Sequence, residues 1–241
     1  MTFGSLFAGI GGMDLGLERA GMQCKWQVEI DPFCQKVLTK HWPEVPKYGD
    51  IREVNWTDVE AVDLIAGGFP CQDVSSAGHR KGITGPRSGL WAEYFRLICE
   101  LRPKYVLVEN VAGLLNAGGM QRVLGDLASI GMDAEWESIS ASHLGAPHHR
   151  QRIFILGHAN GNGRDAVQVL GNRKTPFKFW DGYSLYRGPD APGVWPLPYG
   201  RVFGVADGLS AGLDGLRGYG NAVVPQVAEW IGRRIMEAYA R

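Results

Sequence analysis

The chain has no excess of charge. Its 25 Lys and Arg balance 25 Asp and Glu over 241 residues, for a formal net charge of zero. A uniformly basic nucleic-acid coat is excluded, and only local clusters of charge are left to recognise a polyanion. Cysteine is scarce: the four residues Cys24, Cys34, Cys71 and Cys99 have spacings that fit neither a zinc site nor a disulfide framework. No metal is therefore expected, and a reducing cytoplasm suits the thiols. No apolar run approaches the length of a membrane span, and the first residues lack the pattern of a secretory signal, so no membrane partner is expected. A phosphate-binding loop of the G-x-x-x-x-G-K-[ST] type is also missing, which argues against nucleoside triphosphate chemistry. Internal repeats and low-complexity tails are absent. What the chain has in quantity is glycine, 34 residues, many at the ends of apolar runs where tight turns and close backbone approaches are needed.

Those apolar runs alternate with segments of helical periodicity, the pattern of a parallel sheet wrapped by helices. The first strand, residues 2–8, ends in Gly9-Ile10-Gly11-Gly12, and Met13, Leu17 and Ala20 follow at helical spacing up to Gly21. The turn is not a true G-x-G-x-x-G, because Asp14 stands at the third glycine position. A second strand, residues 25–30, carries Glu29 about 20 residues after the first glycine, where a ribose-binding carboxylate is expected in such sheets. Asp31 and Pro32 open the next helix as N-cap and first helical residue. Another acid follows at Gly49-Asp50-Ile51. Each carboxylate alone is an ordinary cap or turn residue. At successive strand ends, the two can receive a ribose diol and an adenine amino group.

The stretch that organises the chain is Gly67-Gly68-Phe69-Pro70-Cys71-Gln72. A buried strand over 62–66 runs into the glycine pair, and Pro70 stiffens the turn that presents Cys71. A lone cysteine is more often an inert core residue. Here Gln72, Ser75, Arg80, Lys81 and Arg87 make a poor wall for a buried thiol and a good setting for a thiolate. Leu90, Tyr94, Leu97 and Leu101 then mark a helix that Arg102-Pro103 stops. The next strand, 105–108, ends in Glu109-Asn110-Val111, and consecutive strands are usually neighbours. A helix over 120–130 and a strand over 135–141 lead to Arg150-Gln151-Arg152 and a last apolar strand, 153–156. Alternation puts both arginines on one face, able to point at one anion or carboxylate. Between His158 and Gly218 basic residues are interleaved with aromatics, a mixture that suits either a nucleic-acid surface or an ordinary irregular subdomain. Val227, Ile231 and Ile235, four apart, mark a closing helix with a buried stripe.

In this order the pieces resemble the C5-cytosine DNA methyltransferases. They are Leu6 to Gly12, Glu29, Gly49 to Ile51, Gly68 to Gln72, Gly89 to Trp91, Glu109 to Val111, Arg150 to Arg152 and Gly220 to Pro225. The resemblance implies an α/β fold with a doubly wound, mostly parallel Rossmann-like sheet and a small loop-rich insert. It implies a catalytic and cofactor-binding domain over 1–157, a target-recognition insert over 158–217 and a C-terminal segment, 218–241, that returns to the catalytic domain. The implied reaction moves a methyl group from S-adenosylmethionine, leaving S-adenosylhomocysteine, to C5 of a cytosine flipped out of double-stranded DNA.

The resemblance also implies roles for single residues. Cys71 would attack C6, Glu109 would bond the base at N3 and its exocyclic amine, Arg152 would meet the base carbonyl oxygen, and Arg150 would support the pocket. Phe7, Ile30, Ile51 and Leu90 would line the adenosine pocket, with Glu29 on the ribose and Asp50 on the adenine amine. The turn Gly9, Ile10, Gly11, Gly12 would take the methionine carboxylate, and Pro70, Asn221 and Ala222 would complete the cofactor site. Gln72, Ser75, Arg80, Lys81 and Arg87 would hold the opened DNA. Compact relatives of this kind occur in phages and prophages. A cytoplasmic bacterial or phage enzyme is therefore expected, monomeric, and either an orphan or paired with a cognate restriction endonuclease. The insert is short for a recognition domain, which implies a target of few base pairs. Rival readings are a tRNA cytosine-5 methyltransferase of the same fold, an inactive DNA-binding homologue and a nicotinamide dehydrogenase. The Gln72-Asp73-Val74-Ser75 run resembles the DNA-acting branch, intact Cys71, Glu109 and Arg152 oppose the second, and the imperfect glycine motif opposes the third.

Overall fold

A computed structural model describes residues 1–70, 89–115, 118–144, 150–159, 169–170 and 222–240. Within them one sheet is built from β1 (Thr2–Leu6), β2 (Gln23–Val28), β3 (Lys47–Tyr48), β4 (Leu64–Gly67), β5 (Tyr105–Asn110), β6 (Met132–Ser140) and β7 (Gln151–Ala159). The spatial order is β3-β2-β1-β4-β5-β7-β6. The first five pair in parallel, whereas β7 runs antiparallel to both of its neighbours. The helices are α1 (Gly12–Arg19), α2 (Pro32–His41), α3 (Leu90–Leu101), α4 (Gly119–Ser129) and α5 (Pro225–Tyr239). None of the described helices is long and apolar enough to cross a membrane.

Both faces of the sheet are covered, so its central strands are apolar throughout rather than alternating. On one face Leu6, Ile65 and Val106 pack with Tyr94 and Leu97 of α3 and Val123 and Leu127 of α4. On the other, Phe3, Leu64 and Leu107 pack with Met13 and Leu17 of α1 and Val227, Ile231 and Ile235 of α5. This is the doubly wound arrangement expected from the alternating pattern. Strand β6 begins at Met132 rather than near 135, because it ladders with β7 along its whole length, from Met132 opposite Ala159 to Ser140 opposite Gln151. Within the stretch expected to form the insert, Val169 and Leu170 are buried in the sheet's own core. The Val169 amide donates to Glu135 of β6 (2.6 Å) and its carbonyl accepts from Arg234 of α5.

Helices α1 and α5 cross closely because α1 carries glycine where α5 and its lead-in pass. A Cβ on Gly12 would stand 2.2 Å from the Val223 carbonyl oxygen, and one on Gly16 would stand 2.3 Å from that of Pro225. This contact brings the C-terminal segment back to the strand ends at β1.

Asp14, which interrupts the glycine motif, is fully buried in the first turn of α1. It accepts hydrogen bonds from Ser5 Oγ (2.9 Å) and Gln27 Nε2 (2.8 Å), with Cys24 Sγ 3.9 Å away. Burial raises its pKa to about 6, and the bonds from Gln27 and Ser5 offset only part of that rise. Burial likewise pushes the Cys24 thiol up. The folded-state pKa of Asp14 lies above the ordinary 3.8, so its favourable contribution is fully present below about pH 4 and lost as pH rises through about 6. Asp14→Asn cannot ionise. Its urea-unfolding stability relative to the parent should therefore improve by roughly 3 kcal/mol between pH values of about 4 and 7.5. A difference that does not change with pH would mean that Asp14 does not titrate in this range.

Candidate active site

The carboxyl ends of β1, β2, β4 and β5 open onto a cavity of about 510 Å³. It lies where the strand order reverses, between β1 and β4, the position at which open α/β sheets bind ligands. The cavity is continuous from Ile30 and Asp50 at one end to Glu109 and Arg152 at the other.

At the first end the turn after β1 carries a non-glycine residue in the left-handed region, Phe7 at φ 52. Such conformations cost energy and gather at functional sites. Phe7 lines the cavity together with Gly9, Glu29, Ile30, Ile51 and Leu90. Ile30 is 64% exposed, an apolar face left open beside the cavity. Glu29 has both oxygens engaged by backbone amides, Oε2 by Gly9 (2.6 Å) and Oε1 by Asp31 (2.8 Å). It therefore braces the glycine turn as well as facing the cavity, and its remaining lone pairs can accept from a ligand. Asp31 caps α2 through the amides of Phe33 and Cys34 (2.8 and 3.1 Å). Asp50 is gripped by the Arg52 fork, with Nε 2.9 and 3.0 Å from its two oxygens and Nη2 on the second. Hydrogen bonding from Arg52 holds the Asp50 carboxyl below the usual carboxylate range. Arg52 is exposed and nothing in the sequence pattern marks it; the turn that folds it back onto Asp50 does.

At the other end Glu109, the fifth residue of β5, is buried opposite Phe154 of β7. Arg152, two residues before Phe154 on β7, brings Nε within 3.0 Å of Glu109 Oε1. Burial raises the Glu109 pKa above the ordinary value, while the positive charges of Arg152 and then Arg150 pull it back. Burial thus biases the carboxyl toward carrying a proton, against the pull of the two arginines. Gly68 makes this placement possible: a Cβ there would stand 2.5 Å from Glu109 Oε2. Asn110, next in β5, donates to the Phe69 carbonyl oxygen (3.2 Å). The Phe69 ring packs on Trp91 of α3 at 5.4 Å between centroids. The backbone just before Cys71 is therefore anchored on both sides, and Pro70 lines the cavity.

Of the remaining expected site residues, Ala222 lines the cavity, whereas Ile10, Gly11 and Gly12 do not. Cys71, Gln72, Ser75, Arg80, Lys81, Arg87 and Asn221 lie outside the described residues. Among the described residues, no cluster of His, Cys, Asp and Glu could hold a metal ion.

Comparison with known proteins agrees with this geometry. The sequence profile of the C-5 cytosine-specific DNA methylase family matches residues 1–181. The Type II methyltransferase M2.BsuMI of Bacillus subtilis (strain 168) is 37% identical over 170 residues, which cover 68% of this chain and 43% of that protein. The Type II methyltransferase M.AquIA of Picosynechococcus is 30% identical over 207 residues, covering 72% of this chain and 84% of the other. A solved DNA modification methyltransferase from an E. coli prophage superposes with a TM-score of 0.56 at 28% identity, over 66% of this chain and 47% of that one. The chain thus spans less than half of M2.BsuMI and of that solved protein. With the profile running through every described strand and the acid-tipped cavity at the strand ends, the chain belongs to the C-5 cytosine-specific DNA methylase family.

Proposed function

We propose that this protein transfers a methyl group from S-adenosylmethionine to C5 of cytosine in double-stranded DNA. The observation that carries this reading is the continuous cavity, with acid-tipped strands and an open apolar face at one end and a buried Glu109 beside Arg152 at the other. The first end fits the cofactor: Glu29 has lone pairs for a ribose diol, Asp50 is an ionised acceptor for an amine, and Ile30 offers a flat apolar contact. The glycine turn at the N-terminus of α1 suits a carboxylate. When bound, the cofactor supplies an electrophilic methyl group on a sulfonium.

The chain's own residues do the rest. The Cys71 thiolate adds to C6 of the flipped base, forming a C–S bond as the C5–C6 π electrons move to C5. Glu109 donates its proton toward N3 and offsets the charge that develops on the ring, and Arg152 is placed to meet the base carbonyl oxygen. C5 then takes the methyl group. Loss of the C5 proton to a solvent water re-forms the C5–C6 double bond and expels the Cys71 thiolate, while the proton on N3 returns to Glu109. Residues 72–87 and the 158–217 stretch would grip the DNA backbone and read the target, which makes double-stranded DNA the partner and a cognate endonuclease a companion in a restriction-modification setting. The DNA reading is preferred to tRNA because the curated relatives are Type II methyltransferases.

Three measurements test the proposal. Duplex DNA with 5-fluorocytosine at the target cannot lose a C5 proton, so it should trap a denaturation-resistant adduct with the parent protein and none with Cys71→Ser. Methyl transfer at full rate by Cys71→Ser, followed with a tritiated donor, would remove Cys71 from the chemistry. Gly68→Ala should push the Glu109 carboxyl aside and lower kcat by about tenfold or more, while donor affinity changes by less than about threefold, since one missing transition-state contact costs more than 1.4 kcal/mol. An unchanged kcat would mean that Glu109 is not set by this contact.

A further inference from the structure

The ring of Trp42, which does not line the cavity, lies directly against Gly11 of the glycine turn. A Cβ on Gly11 would stand 2.4 and 2.5 Å from Trp42 Cζ3 and Cη2, and 3.1 Å from Leu38 Cδ2. Gly11 is left-handed, at φ 84, and is the N-cap of α1 without a side-chain cap of its own. Its amide donates to the Ala8 carbonyl oxygen (2.9 Å) and its carbonyl accepts from Leu15 (2.9 Å), so it is the residue through which the turn becomes the helix. Trp42 is itself fixed. Its amide donates to Leu38 (2.8 Å) at the end of α2, and its carbonyl accepts from Lys47 Nζ, which also reaches Val45 (2.7 Å). The turn is thus held at two points by one β–α unit. Glu29, just after β2, holds the Gly9 amide on the cavity side, and Trp42, just after α2, backs Gly11 from behind.

We propose that Trp42 is a positioning residue for the amino-acid end of the methyl donor, an inference that rests on the cofactor reading above. It touches no cavity surface and acts through Gly11. A flat, rigid ring against the α-carbon of an uncapped left-handed glycine fixes where the first free amides of α1 point. Of the residues that carry those amides, Met13 lines the cavity where the donor's carboxylate would sit. Without the ring, Gly11 has the widest conformational freedom of any residue, and the amides must be ordered at the moment of binding, at a cost in affinity. Ile30, Asp50 and Ile51, which would take the adenine, line the cavity, whereas Trp42 does not.

That separation supplies the test. The parent protein, Trp42→Ala and Trp42→Phe are titrated calorimetrically with S-adenosylhomocysteine and with 5′-methylthioadenosine, which has the adenosine end and lacks the amino-acid end. Trp42→Ala should bind S-adenosylhomocysteine about tenfold or more weakly, and 5′-methylthioadenosine within about twofold of the parent, since only the turn is released. Trp42→Phe keeps a flat ring and should recover most of the loss. The KM for the methyl donor should rise in step, with kcat at saturation within about twofold. Equal losses for both ligands, or no loss for either, would overturn the role. If Trp42→Ala does not fold, Trp42→Leu carries the same comparison. Failure of the parent protein to bind S-adenosylhomocysteine would instead sink the cofactor reading itself.

Discussion

The site depends on a carboxyl group kept in a place where carboxyl groups are costly. Glu109 is buried on β5, and three features let it stay there. The antiparallel β5–β7 register sets Arg152 beside it, Gly68 on β4's exit leaves the space that its oxygen fills, and burial favours the protonated form. Each feature belongs to a different strand. A change in the direction of β7, or a side chain at Gly68, removes the conditions under which this group can exist. The reversal of one strand in an otherwise parallel sheet is therefore the constraint that gives the ligand cleft a buried carboxyl with an arginine beside it.

The other end of the cavity is built by a different logic. There the carboxylates are already engaged: Glu29 by two backbone amides and Asp50 by the Arg52 fork. A carboxylate with two fixed bonds keeps its orientation and still has lone pairs to offer, so these acids are pre-set rather than free-swinging. The strained Phe7 and the ring of Trp42 behind Gly11 serve the same end in the turn between β1 and α1. The price is visible in Asp14, whose burial under that turn makes part of the scaffold sensitive to pH.

Much of this was legible from residue order. The apolar runs and helical spacings placed β1, β4, β5 and α3, and the stripe Val227, Ile231, Ile235 is buried as its period of four requires. Asp31 and Pro32 were readable as a helix start because capping is local chemistry. Adjacent strands after β4 and β5 followed from the rule that consecutive strands pair. The antiparallel placement of β7 between β5 and β6 had no local signal, since a fully buried strand has the same apolar composition in either direction. Val169 and Leu170 looked like part of a separate insert because two apolar residues carry no periodicity, yet they pack in the core. Arg52, Trp42 and the buried Asp14 likewise acquire their meaning from neighbours distant in the chain or set by a turn.

The sequence by itself determined the residue types at the strand ends, the positions of turns and caps, and the membership of the family, because all three are encoded over a few residues. Tertiary structure alone decided which of those residues meet. That Glu109 faces Arg152 across two antiparallel strands, that Gly68 yields its space to a carboxyl oxygen and that Trp42 backs Gly11 are contacts between side chains and backbone brought together by the sheet order. Local propensity acts over one turn or one strand. The protonation of an acid and the rigidity of a glycine are set by what the whole fold packs around them.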